Sequence, residues 1–195
     1  MSSPQTLSQA DRRIVALWAA DCAERVLGLF EAEAPQDGRP RDAIARTRAF
    51  ARGELDIAEE IRRRFFAGGA ARNVGPTAAA AARAAAQAAS IAHMGAHALG
   101  AAAYAAMAAG LADPYRPQAI SEEIFWQLGR MSAAARDALR KLPLVGENSS
   151  GPLGPGLLTS GLLGAIVREI QASLADPDRT LPAEWQTTRR RQAQR

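Results

Sequence analysis

The 195-residue sequence holds one cysteine, Cys22. That count excludes an internal disulfide and a zinc site built on cysteine pairs. Aromatic residues make up only 5% of the chain, so Leu, Ile, Val and Ala must fill any core. No apolar run of membrane-spanning length is present. The longest weakly polar stretch, at 75–110, is interrupted by Arg83, Gln87, His93 and His97. The first residues, MSSPQTLSQADRR, lack the apolar segment of a secretory signal, which sets the expectation of a cytoplasmic protein. A glycine-rich phosphate loop is missing too, because Gly151-Pro-Leu-Gly-Pro-Gly has no Lys-Ser/Thr end and no preceding strand. Lysine is nearly absent: arginine supplies all but one of the 24 basic residues, Lys141 being the exception. Together with the alanine content this fits the codon bias of a GC-rich genome, so the arginine count is no nucleic-acid signal by itself.

The charge is unevenly placed. The net charge is +4, and residues 179–195 carry five arginines against Glu184, so residues 1–178 balance to zero. The folded body is expected to span 1–178, with 146–178 as an added C-terminal loop and helix and 179–195 as a basic, flexible tail.

What is present in quantity is alanine. The stretch Gly75–Gly110 reads as the element around which the chain is organised. Alanine loses no side-chain entropy in a helix, and Pro76 suits a first helical turn. An unbroken helix here would be about 50 Å long, so a break near His93-Met94-Gly95 is expected, giving helices at roughly 76–93 and 96–111. Around it, residues 7–33 form an amphipathic pattern with Ile14, Val15, Trp18, Cys22, Val26, Leu29 and Phe30 on one stripe and Ser8 as N-cap. A turn at 35–40 leads to a helix at 41–51 ended by Gly53. A third helix at 54–68 would bury Leu55, Ala58, Ile61 and Phe65, with acidic residues first and arginines last, as the helix dipole favours. One helix over 121–141, capped by Ser121, places Ile124, Leu128, Met131, Ala135 and Leu139 inward and Trp126 on the opposite face, against another part of the chain or a partner. A last helix at 157–174 carries Leu158, Leu162, Ile166 and Ile170. The fold class is therefore all-α: a single-domain bundle of about six to eight helices around the alanine-rich segment.

Catalytic and metal patterns are incomplete. His93 and His97 have the spacing of two ligands on one helical face, but no Glu follows His93 and no third ligand stands nearby. Ser90, His93 and His97 could align, yet no acid orients a base. Cys22 sits on an apolar stripe, where a thiol packs rather than reacts. No catalytic residue, metal or cofactor is assigned. Arg189, Arg190, Arg191 and Arg195 would bind phosphates without sequence preference, which makes a nucleic-acid-associated protein acting through this tail the alternative function. The neutral body argues against it.

Four stretches resemble a bacterial family of immunity proteins from polymorphic toxin systems, immunity family five. They are ALWAADCAERVLGLFE at 16–31, DGRPRDAIARTRAFARGE at 37–54, AAARAAAQAASIAHMGAHALGAAAYA at 80–105 and, more loosely, FWQLGRMSAAARDAL at 125–139. The resemblance implies a small all-helical cytoplasmic protein that binds and neutralises a cognate toxin domain by stoichiometric complex formation, without catalysis. Trp18, Asp21, Asp37, Arg39, Arg41, Glu54, His93 and His97 then belong to the shared scaffold or to the partner surface, as does Trp126 from its place off the stripe. Arg39 or Arg41 is expected to reach Asp21 or Glu24 in a bidentate pair. Residues 146–195 exceed the family pattern and would complete the core or a dimer, so a homodimer stays open.

Overall fold

The computed structural model describes residues 3–63, 66–176 and 178–180. Among them are eight α-helices: α1 (Gln9–Glu31), α2 (Arg39–Arg52), α3 (Ile57–Arg63), α4 (Pro76–Ala89), α5 (His97–Ala112), α6 (Ala119–Arg130), α7 (Ala133–Leu139) and α8 (Gly161–Ala175). The architecture is an all-α bundle in a single domain, as the patterning predicts. Leu181, Trp185 and the tail arginines Arg189, Arg190, Arg191 and Arg195 lie outside the described residues, as do Arg64 and Phe65. Arg179, expected in the flexible tail, is instead held to the body, its Nε donating to Glu169 of α8 at 3.0 Å.

The alanine tract forms two helices, and the break falls where it was expected. A 3₁₀ turn at Ser90–Ala92 follows α4, and Gly95 separates it from α5. The N-terminal segment seals the break: the Gly95 and Ala96 amides donate to the carbonyls of Thr6 and Gln5, both at 3.0 Å. Amides of a helix start need such outside acceptors. The two helices fold back on each other, and α1 packs against both. Nearly every side chain of α4 and α5 is small, so the backbones approach closely. Larger residues close the core from outside: Phe30, Phe50, Ile91, Ile124, Leu139, Ile166 and Ile170 are fully buried or nearly so. Helix α5 is buried from Ala98 to Ala106 on all sides, with α4, α1, α6 and α8 packed around it.

Local signals set the ends. Ser8 caps α1 by accepting from the Asp11 amide at 3.0 Å. Gly53 ends α2 with φ of 82°, a left-handed conformation that favours glycine.

Five expectations are corrected. The single helix over 121–141 is two: Met131 is extended (ψ 125°) and Ser132 caps α7 through the Ala135 amide. Ser121 is no cap; Gln118 holds that position and the Ser121 hydroxyl donates to its carbonyl. Helix α3 is shorter than 54–68, and its buried residue is Glu60 instead of an apolar stripe, with Ala58 exposed. On α8 the inward side is Leu163, Ile166, Val167, Ile170 and Leu174, whereas Leu162 is exposed. Ile14, expected on the buried stripe of α1, is exposed as well.

Candidate partner-binding surface

Helices α1 and α2 share a seam of ion pairs. The turn after α1 reverses the chain, so residue numbers fall along α1 as they rise along α2. Arg41 opens α2 opposite the end of α1, and its Nε and Nη2 each donate to Glu31 at 2.7 Å. Two turns further along α2, Arg48 faces carboxylates about two turns back on α1. It donates to both oxygens of Glu24 and to Asp21, each at 2.7 Å. The bidentate pair expected for Arg39 or Arg41 with Asp21 or Glu24 thus belongs to Arg48. The reason is register: Arg39 and Arg41 lie at the start of α2, beside Asp37 and Glu31. These bonds hold the Glu24 carboxyl below its ordinary range, the Arg48 hydrogen bond being the main cause, and raise the Arg48 guanidinium.

The opposite edge of α2 faces α3 in the same way. Arg46 pairs with Glu60 and, at 3.4 Å, with Glu59, while Arg63 reaches Asp42 at 3.7 Å. Arg39 folds onto Asp37 in the turn, with Nε to Oδ1 at 2.8 Å, and lowers that carboxyl through the bond. Arg52 pairs with Glu54 at 2.6 Å. Asp21, Asp37, Arg39, Arg41 and Glu54 therefore all lie along the edges of α2, and each has an oppositely charged partner within the chain.

The remaining predicted residues lie elsewhere. Trp18 is buried, and its Nε1 donates to the Gln127 carbonyl at 2.8 Å, joining α1 to α6. Trp126 packs within the chain: the Arg25 guanidinium carbon stands 4.2 Å from its ring centroid, and Arg25 Nε donates to the buried Glu123 at 2.7 Å. His97 opens α5, with Nδ1 at 2.8 Å from Gln87 Oε1. His93 precedes the break at Gly95, and its carbonyl accepts from Arg12. The break places the two imidazoles on different elements, so the shared face that metal ligation needs is not formed. Among the described residues no three of His, Cys, Asp and Glu come together to hold a metal ion. Ser90 donates its hydroxyl to the Ala86 carbonyl. Cys22 is fully buried, and burial pushes its thiol well up, the opposite of an activated nucleophile.

Beside the ion-pair seam lies a surface groove of about 360 Å³ between α1, the end of α2 and the start of α7. Arg13, Ile14 and Leu17 of α1 line it, and none of the three was among the predicted site residues. The signal that marks them is small: Ile14 and Leu17 are three apart and form an apolar edge beside the main stripe of α1.

This is an all-α domain without strands or a metal cluster among its described residues, with ion pairs joining α1 to α2 and α2 to α3. A family model described as Imm-5 like putative immunity protein matches residues 5–134, and the chain belongs to that family. No curated protein and no solved structure is similar enough to match it. The family assignment supports an immunity role. Among the described residues no helix is long and apolar enough to cross a membrane.

Proposed function

We propose that the protein is a cytoplasmic immunity protein that binds a cognate toxin domain of a polymorphic toxin system and neutralises it by stoichiometric complex formation, without catalysing a reaction. The observation that carries this reading is the family match over 5–134, which spans the helices α1 to α6. The side-chain chemistry agrees with it. Ser90, Cys22 and His97 are each engaged or buried, and none is presented to solvent beside a base. Residues for surface recognition are in supply instead: Arg13 and the exposed apolar side chains of Ile14 and Leu17 on α1.

Affinity co-purification of the tagged protein from its native cytoplasm, followed by mass spectrometry, tests this. One stoichiometric partner with a toxin-like domain is expected. Co-expression with that domain should then restore growth of cells that the domain alone arrests. Recovery of salt-labile nucleic acid only, lost on deletion of residues 181–195, would favour the tail-dependent alternative and remove the immunity reading.

A further inference from the structure

The ion pairs along α2 hold little unused binding capacity, because each guanidinium there already has a carboxylate. The groove beside them differs in both respects that matter for an interface. First, it exposes large apolar side chains: Ile14 is 37% and Leu17 50% exposed, on a helix whose other large apolar residues are mostly buried. Ala51 of α2 and Ala134 of α7 line the same groove, with Arg52, already paired with Glu54, and Ser132 at its polar side, so a concave surface with an apolar part is contributed by three helices. Second, Arg13 carries a guanidinium that makes no hydrogen bond or ion pair with any described residue, and its Nε is buried without a partner. This group is nonetheless held in place. It lies over Gly53, where a Cβ would fall 3.2 Å from Nη1, so the left-handed glycine that ends α2 also makes room for it. A positioned cation with free donors at the edge of an apolar groove is complementary to a carboxylate next to an aliphatic side chain. Among the exposed aromatics, Tyr115 at 96% and Phe125 at 74% line neither this groove nor the smaller cavity between α2 and α3, and Phe66 lines only that smaller cavity.

We infer that this groove is where the toxin domain docks, and that it takes a segment of that domain bearing an aliphatic side chain beside an acidic one. The inference rests on the immunity reading above and gives that reading its contact surface. The aliphatic group covers Leu17 and Ile14, and the carboxylate engages the terminal Nη groups of Arg13.

The test uses the full chain and the purified toxin domain recovered by co-purification. Binding is measured for the wild type and for Leu17→Glu, Arg13→Gln and Arg13→Glu, with Phe125→Glu and Tyr115→Ser as controls outside the groove. Leu17 is half exposed and Arg13 is unbonded, so the groove variants should keep the helical spectrum and melting temperature of the wild type. Leu17→Glu and Arg13→Glu should each weaken binding by about 30-fold or more, the scale of a central interface residue. Arg13→Gln should weaken it less, and the gap between the two Arg13 variants should narrow at high salt as charge repulsion is screened. If all three groove variants bind like the wild type while the controls lose binding, the groove assignment is overturned and the immunity reading stands. It is equally overturned if the wild type is a dimer that the groove variants dissociate without loss of toxin binding, because the groove then receives a second copy. A wild type that neither binds nor protects removes both readings together. Should Leu17→Glu fail to fold, the two Arg13 variants decide the matter.

Discussion

Arg48 holds two carboxylates of α1 at once, and its side chain and that of Asp21 are each about three-quarters covered. Surface ion pairs are worth little singly, but this guanidinium is bidentate to Glu24 and also bonded to Asp21, so the three groups act as a network. Replacing Arg48 by Ala should cost about 1 kcal/mol at neutral pH, a value already discounted for the exposure of Glu24. The sign of the pH dependence follows from Glu24, whose carboxyl is held below its ordinary value of 4.5 mainly by the Arg48 hydrogen bond. A lowered folded-state value contributes stability that is present above that ordinary value and lost as pH falls through the folded one. Urea unfolding of wild type and Arg48→Ala should therefore differ most at neutral pH and converge at a pH low enough to protonate Glu24 in the folded state. An unchanged difference at that pH would mean that Arg48 acts through packing of its stem. The same logic applies to Asp11, which Lys141 lowers through a hydrogen bond linking the start of α1 to the residues after α7.

At the scale of elements, the break between α4 and α5 is the feature that shapes the bundle, and Gly95 is its tightest point. A Cβ on Gly95 would stand 2.5 Å from Leu7 Cδ1 and 3.0 Å from Leu7 Cβ. Leu7 is the one described non-glycine residue with positive φ, 60°, and the residues on either side of it are tied to the break and to the N-cap of α1. Gly95→Ala must therefore displace a segment whose carbonyls cap α5, and should destabilise by about 1–3 kcal/mol. For a chain of this size that is a fall in melting temperature of roughly 2–10 °C, measurable by circular dichroism. A rise would mean that helix propensity outweighs the contact. The position of this break was legible because the tract was too long for one helix and held a glycine beside two histidines. The division between α6 and α7 was not read, although Ser132 is a cap residue, because Ile124, Leu128, Met131, Ala135 and Leu139 keep helical spacing straight through it. Apolar periodicity cannot detect a bend that preserves the phase. Nor can it detect Glu60, since a carboxylate that anchors α3 against Arg46 is recognisable only once its partner on α2 is known. The α1–α2 ion pairs were half legible for the same reason. Residue types suggested an arginine–carboxylate pair, but choosing Arg48 required the antiparallel register, which only the turn geometry supplies. Arg13 and Leu17 left almost no trace in the sequence: whether a residue beside a stripe is covered depends on what packs over it.

At the scale of the whole molecule, the family match ends at residue 134 while the core does not. Leu153, Leu158, Leu163, Ile166, Val167, Ile170 and Leu174 are buried in the same apolar cluster as α1, α4 and α5. Helix α5 makes this necessary. It is apolar around its whole circumference, and such a helix must be covered on every side; α8 covers one of them. The loop before α8 is fastened to the N-terminus, where the buried Gln5 donates to the Ser150 carbonyl and accepts from the Leu153 amide at 2.9 Å. Five aliphatic side chains on α8, at about 2 kcal/mol each, sum to about 10 kcal/mol of burial, comparable to the entire net stability of a typical domain. A chain ending at Val145 should consequently lose cooperative folding, even though it retains every residue of the family match. Calorimetry should show no sharp transition for it, and an apolar dye should bind where the full chain binds none. A truncated chain that melts cooperatively within a few degrees of the full one would instead make residues 146–178 an appendage. The loss of folding would show that the stretch matched by the family model folds on a core that the C-terminal helix completes.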